Sequence, residues 1–178
     1  MKRLIASLSD PLRSSLSRIR SCAEAFAAKR RKEAEDRAAV SLAWADQSLD
    51  LLEEWLLDEE QKQILRLNPW DVFLLYASAY LYVLGTVWQT DPRKDARSED
   101  KANSASCDRH IHELILDNWE HLGIPNAFIA TVIADICRDA GQDPAAPDAD
   151  AEDLHVVDGS VVNNVLLSAA IRLAARRC

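Results

Sequence analysis

Residues 68–88 read NPWDVFLLYASAYLYVLGTVW, and the fold turns on how this stretch is understood. Asn68 can cap a helix, Pro69 suits its first turn, and Asp71 stands where the helix dipole favours a negative charge. Beyond Asp71 no charged residue occurs as far as Trp88. A helix that is apolar on nearly all sides belongs in the middle of a bundle, with other helices packed around it. The length alone would span a bilayer. Three tyrosines, Ser78 and Thr86 lie inside the stretch, however, and acidic or neutral residues flank much of it. It therefore predicts a central buried helix and no membrane span.

The surrounding chain supplies helices to pack against it. Asp10-Pro11 starts one, and Leu12, Leu16, Ile19, Ala23 and Phe26 then recur at helical spacing as a single apolar stripe. The run Lys29 to Arg37 mixes both charges and reads as a solvated continuation or a connector. A second helix covers Ala38 to Leu57, with Leu49, Leu52, Trp55 and Leu56 inward. The polar stretch from Gln89 to Cys107 reads as a mobile loop. A fourth helix runs from Asp108 to Leu122, stopped by Gly123 with Pro125 beyond it. Asn126 caps a fifth, Ala127 to Ala140, ended by Gly141. An acidic, proline-containing connector fills 142–153. The last helix is expected from Ser160 to Arg176, with Val161, Val165, Leu166, Ala169, Ile171 and Leu173 giving its apolar surface.

Composition agrees with this reading. The chain has 178 residues, 48% of them apolar and only four glycines, and few runs alternate apolar with polar. These features point to an all-α, single-domain bundle of about six helices. Net charge is −8, unevenly spread: residues 1–40 carry a balance of +5 and the rest −13. An acidic body repels phosphates, which argues against nucleic acid as a partner. Cys22, Cys107, Cys137 and Cys178 are scattered and form no C-x-x-C pair, as expected of reduced thiols in a cytoplasmic protein. The start, MKRLIASLSDPLR, has no apolar run of signal-peptide length.

Candidate chemistry is sparse. His110, Glu113, Asp117 and His121 follow one another at spacings of three, four and four, which on a helix makes one stripe able to hold a divalent metal. The opposite stripe, Ile111, Leu114, Ile115, Asn118 and Leu122, must face the core, so the His and carboxylate stripe is expected in water. His112 lies cleanly on neither. No phosphate-binding loop, dinucleotide fingerprint, H-E-x-x-H or nucleophile elbow is present. His155 reads as a surface residue. The basic cluster Lys29-Arg30-Arg31-Lys32 is interleaved with Glu33, Glu35 and Asp36, as on a solvated helix.

The landmarks LNPWDVFLLYASAYLYVLG, NWEHLGIP, IADICRDAG and LLSAAIRLAARR occur in an order that resembles the HD superfamily, particularly the branch found beside chaperone-like ATPase domains. The likeness covers about Ala38 to Cys178. It implies an HD-like helical domain over 38–178, with the mobile loop at 89–107 and the acidic connector at 142–153. Residues 1–37 then form a basic amphipathic helix packed on that core. The resemblance also places the family's metal centre. Its first histidine falls close to Ala45, its His-Asp pair on Tyr82 and Val83, and its histidine pair near Cys107 and Asp108. The histidine of the next helix falls on Ala140, and the closing aspartate on Ala175. Of these only Asp108, and more weakly Cys107, can ligate.

A hydrolase of this type needs its metal to make hydroxide and to neutralise phosphate charge. The sequence therefore leads to a metal-free, inactive HD-like domain, a binding or regulatory module with no cofactor. Its expected partner is a protein or an adjoining domain, with a small-molecule ligand as a further occupant. Two rival readings stand beside it. One is a divergent phosphohydrolase with metal relocated to Asp108, His110, Glu113, Asp117 and His121. The other is a structural or oligomerisation bundle.

Overall fold

The computed structural model describes residues 4–33, 42–57, 67–89, 103–141 and 154–177. A single 3-10 turn at Ile5–Ser7 precedes α1 (Asp10–Glu33). Then come α2 (Leu42–Leu57), α3 (Pro69–Gln89), α4 (Asn103–Leu122) and α5 (Ala127–Gly141), a hairpin of β1 (Leu154–Val157) and β2 (Ser160–Asn163), and α6 (Asn164–Arg177). The fold is all-α apart from that hairpin.

The central helix is α3. Every residue from Asp71 to Leu81 is buried, and α1, α2, α4, α5, α6 and the hairpin all touch this helix. Its start is fixed locally. Asn68 Oδ1 accepts the N–H groups of Trp70 and Asp71 at 2.8 and 3.0 Å, while Asp71 Oδ2 accepts the N–H of Asn68 at 2.9 Å. This reciprocal cap satisfies donors that a helix start otherwise leaves open. Asn68 Nδ2 also donates to the carbonyl of Val161 at 3.1 Å, which ties the helix start to β2. Asn68→Ala is therefore expected to lower stability by about 1–2 kcal/mol, read as a reduced urea midpoint at unchanged slope. An unchanged midpoint would show that the cap contributes little.

The end of α4 is equally local. Gly123 has φ +82°, and the N–H groups of Gly123 and Ile124 reach back to the carbonyls of Glu120 and Trp119. That is a Schellman closure. The absent side chain matters as much as the backbone, because the Arg18 stem lies across Gly123 where a Cβ would meet it at 2.5 Å. Helix α1 is bonded to the same corner: the Ser15 hydroxyl donates to Gly123 O, and the Cys22 thiol donates to His121 O at 3.3 Å. Leu12, Leu16, Ile19, Ala23 and Ala27 bury its apolar stripe, with Phe26 half-buried.

Several boundaries differ from the sequence expectation. Helix α4 starts at Asn103, five residues before Asp108, so the expected loop 89–107 is helix at both ends. Its middle, 90–102, lies outside the described residues, as do 34–41 and the connector 142–153. The largest correction concerns residues 160–163, expected as helix and found as strand. Val157↔Ser160 and Val156↔Val161 pair antiparallel around Asp158 and Gly159, which have φ 49° and 76°. Positive φ at both central residues makes the two-residue turn whose twist suits a hairpin, and the β-branched valines either side favour strand.

The later start sets the phase of α6. Asn164, Leu167, Ser168 and Ile171 are buried at helical spacing, whereas Val165 and Leu173 are exposed and Leu166 and Ala169 half-buried. Of the six residues expected to form its apolar surface only Ile171 is buried. On α4 the core stripe is Ile111, Ile115 and Leu122, with Leu114 half-buried and Asn118 exposed. Among the described residues no helix is long and apolar enough to cross a membrane.

Candidate functional site

The positions that the resemblance assigns to a metal centre come from several helices. Ala45 on α2, Val83 on α3 and Ala140 on α5 belong to one continuous core and are 0, 0 and 3% exposed. Tyr82 is half-buried against the same core. Cys107 and Asp108 lie on α4 and Ala175 on α6, with side chains outside the described residues. Ala45, Val83, Ala140 and Ala175 carry no donor atom beyond the backbone. Of the α4 stripe, Glu113, Asp117 and His121 are exposed, and the side chain of His110 lies outside the described residues. No three His, Cys, Asp or Glu side chains among the described residues converge on one point. The residues present do not fit a metal of the kind the family's histidines and aspartates would hold.

Polar chemistry instead lines the contact between α2 and α3. The Tyr80 hydroxyl donates to Asp46 Oδ1 at 3.0 Å, and the Tyr76 hydroxyl reaches Glu53 Oε2 at 3.4 Å. Glu53 is only 9% exposed and also accepts the N–H of Leu4 at 2.8 Å. Arg20 of α1 pairs with Asp46 at 2.8 Å and lies 5.7 Å from the Tyr80 ring centroid. Burial, reinforced by Glu53 and Asp46, pushes both tyrosine hydroxyls well above their ordinary value. The cue that points to this seam is the pair Tyr76 and Tyr80 inside the apolar run. Buried tyrosines need acceptors, and α2 offers acids seven residues apart.

A second polar group surrounds the end of α5. Arg138 bridges Asp135 and Asp139, each at 3.1 Å, and His112 Nε2 of α4 lies 3.3 Å from Asp135 Oδ1. Arg172 of α6 donates to the carbonyls of Asp139 and Ala140. A cation there satisfies carbonyls that a helix end leaves open. Next to it, the Cys137 thiol is fully buried 3.5 Å from the Ser78 carbonyl, and burial suppresses its ionisation.

A groove of about 950 Å³ opens elsewhere, between the first half of α1, the start of α3, the end of α4 and the hairpin turn. Arg18, Trp70, Trp119 and Asp158 are among its walls, and none of the mapped metal positions lines it. His155, expected at the surface, is half-buried in β1 with its ring edge-on to Phe128, centroids 6.2 Å apart.

A family model named HD-CE matches residues 41–176, which leaves α1 ahead of the matched span. No curated protein and no solved structure matches the chain.

Proposed function

The chain belongs to the HD-CE family, and from that premise we propose that it is a metal-free HD-like domain serving as a binding or regulatory module rather than as a phosphohydrolase. The observation that carries this reading is the chemistry of the positions themselves. Ala45, Val83 and Ala140 are packed into the core, where they offer methyl groups and no lone pairs. Metal-assisted hydrolysis needs ligands that hold the ion and leave a position for water. Asp108 and Cys107 alone cannot supply that set.

The surfaces left for recognition are those the core does not consume. The groove beside α1 combines two indoles with Arg18, Asp158 and several serines, chemistry suited to a protein segment or a small amphipathic molecule. The acidic body argues against nucleic acid. Scattered cysteines, with Cys22 and Cys137 both free thiols, support a cytoplasmic location.

The test is metal retention. After exposure to manganese, iron, nickel and zinc and then dialysis, the purified protein is expected to keep far less than one equivalent of any of them. Near-stoichiometric retention would overturn the reading and make Asp108 and His110 the first residues to replace.

A further inference from the structure

The groove beside α1 carries charges that the fold does not use. Arg18, Glu120 and Asp158 are the charged residues among its described walls, and none of the three side chains makes an ion pair or a hydrogen bond with the described residues. Two carboxylates against one guanidinium leave a balance of −1, on a chain whose net charge is −8. The local charge and the field of the whole protein therefore both draw cations toward it. The other walls are chiefly aromatic and apolar, led by the half-buried indoles of Trp70 and Trp119.

Position separates these charges. The Arg18 stem is spread across Gly123 at the end of α4, and Glu120 stands on that same side and opposes its charge. Asp158 belongs to the hairpin turn, with Ser160 just beyond it. Trp70 belongs to the hairpin end too, because Asn68, two residues before it, donates to Val161 O of β2 at 3.1 Å. That end combines an indole with an unpaired carboxylate, while the cation of the walls lies at the other. An indole face attracts cations more strongly than any other side-chain ring, and a carboxylate beside it adds Coulomb attraction. The turn does not need the charge, since asparagine tolerates the positive φ of 49° at position 158 as readily as aspartate. A groove of about 950 Å³ with a few polar groups on apolar walls is the size of a small-molecule site. On the reading of this domain as a binding module, we propose that the groove binds a small organic cation, an amine or quaternary ammonium group on an apolar body. Trp70 and Asp158 hold the charged group, and the apolar body lies along the wall toward Trp119.

Titration calorimetry of the full chain with benzyltrimethylammonium tests this, with benzyl alcohol as the neutral match and benzoate as the anion. The cation is expected to bind at one site with a dissociation constant on the order of 1 mM or tighter. It should bind about tenfold tighter than the alcohol and weaken as salt is added. Benzoate should bind no better than the alcohol. Asp158→Asn is expected to weaken the cation about threefold with circular dichroism unchanged. Glu120→Gln, outside the turn, should weaken it as well and covers the case of a turn variant that does not fold. Equal affinity for cation and alcohol, a preference for benzoate, or undiminished affinity in both variants overturns the proposal. Preference for benzoate would assign the groove to Arg18 instead. Metal retention is a separate measurement, so failure of this proposal and failure of the metal-free reading show in different experiments.

Discussion

Restoring the family's pair by Tyr82→His with Val83→Asp is expected to cost about 3–5 kcal/mol of stability, the penalty of a buried charge without compensation, and to yield no metal-dependent phosphatase activity. Val83 is fully buried, and its fellow core residues Ala45 and Ala140 offer neither a cation nor a second ligand. A carboxylate placed there either stays charged at that cost or takes up a proton, and neither state is a metal site. Tyr82→His alone is a milder change because position 82 is half-buried. Urea titrations of the two single variants and the double variant, with and without added manganese or zinc, separate these effects. Phosphatase turnover with either metal, or a midpoint that rises on adding it, would sink the idea that the missing ligands are the obstacle.

What the sequence made legible were features written in adjacent residues. Asn68-Pro69 and Asp71 marked the start of α3, and Gly123 with Pro125 and Asn126 marked a stop and a restart, because caps are closed by side-chain and backbone groups only two to five positions away. The central place of α3 was legible too, since an apolar run without a polar face leaves no alternative. The hairpin was missed although Val156-Val157-Asp158-Gly159 carries its turn, because the apolar residues beyond it also fit a helical period. Once residues 160–163 became strand, the inward face of α6 moved to Leu167, Ser168 and Ile171.

The candidate site was legible only through the resemblance. It assigned Ala45, Val83 and Ala140 to a metal centre, and the structure shows all three as buried apolar side chains of one core. The seam of Tyr76, Tyr80, Glu53 and Asp46 was not foreseen, because its hydrogen bonds join residues 23 and 34 positions apart. No local spacing encodes such a pairing. On α4 the opposite apolar stripe already assigns the inward face, and Glu113, Asp117 and His121 lie in solvent as that stripe predicts. Regular spacing places residues on one face, and the apolar stripe opposite it decides what that face meets.

The seam has a consequence in alkaline solution, where the protein is expected to unfold far more readily than at neutral pH. Tyr76, Tyr80 and Cys137 are all held protonated by burial, with Glu53 and Asp46 adding to the effect on the tyrosines. In the unfolded chain the thiol ionises near its ordinary value of 9.0 and the tyrosines near 10.0, while the folded state keeps all three protons. The unfolded state then binds fewer protons, so stability falls as pH rises. Each group contributes about 1.4 kcal/mol per pH unit, and above pH 10 the combined slope approaches about 4 kcal/mol per unit. Against the usual total stability of about 5–15 kcal/mol, that is enough to unfold the domain within about one to four pH units. Urea midpoints taken from pH 7 to 11 should be flat to about pH 9 and then drop steeply. In a Tyr82→Phe background, which leaves only Tyr76 and Tyr80, tyrosinate absorbance should appear with the unfolding transition rather than before it. Tyr80→Phe keeps the ring and leaves Asp46 paired with Arg20, so it removes one titrating group and should reduce the alkaline slope by about a third. Stability unchanged to pH 11, or tyrosinate formed in the still-folded Tyr82→Phe protein, would mean that water reaches the α2–α3 seam and that its hydroxyls are not held by burial.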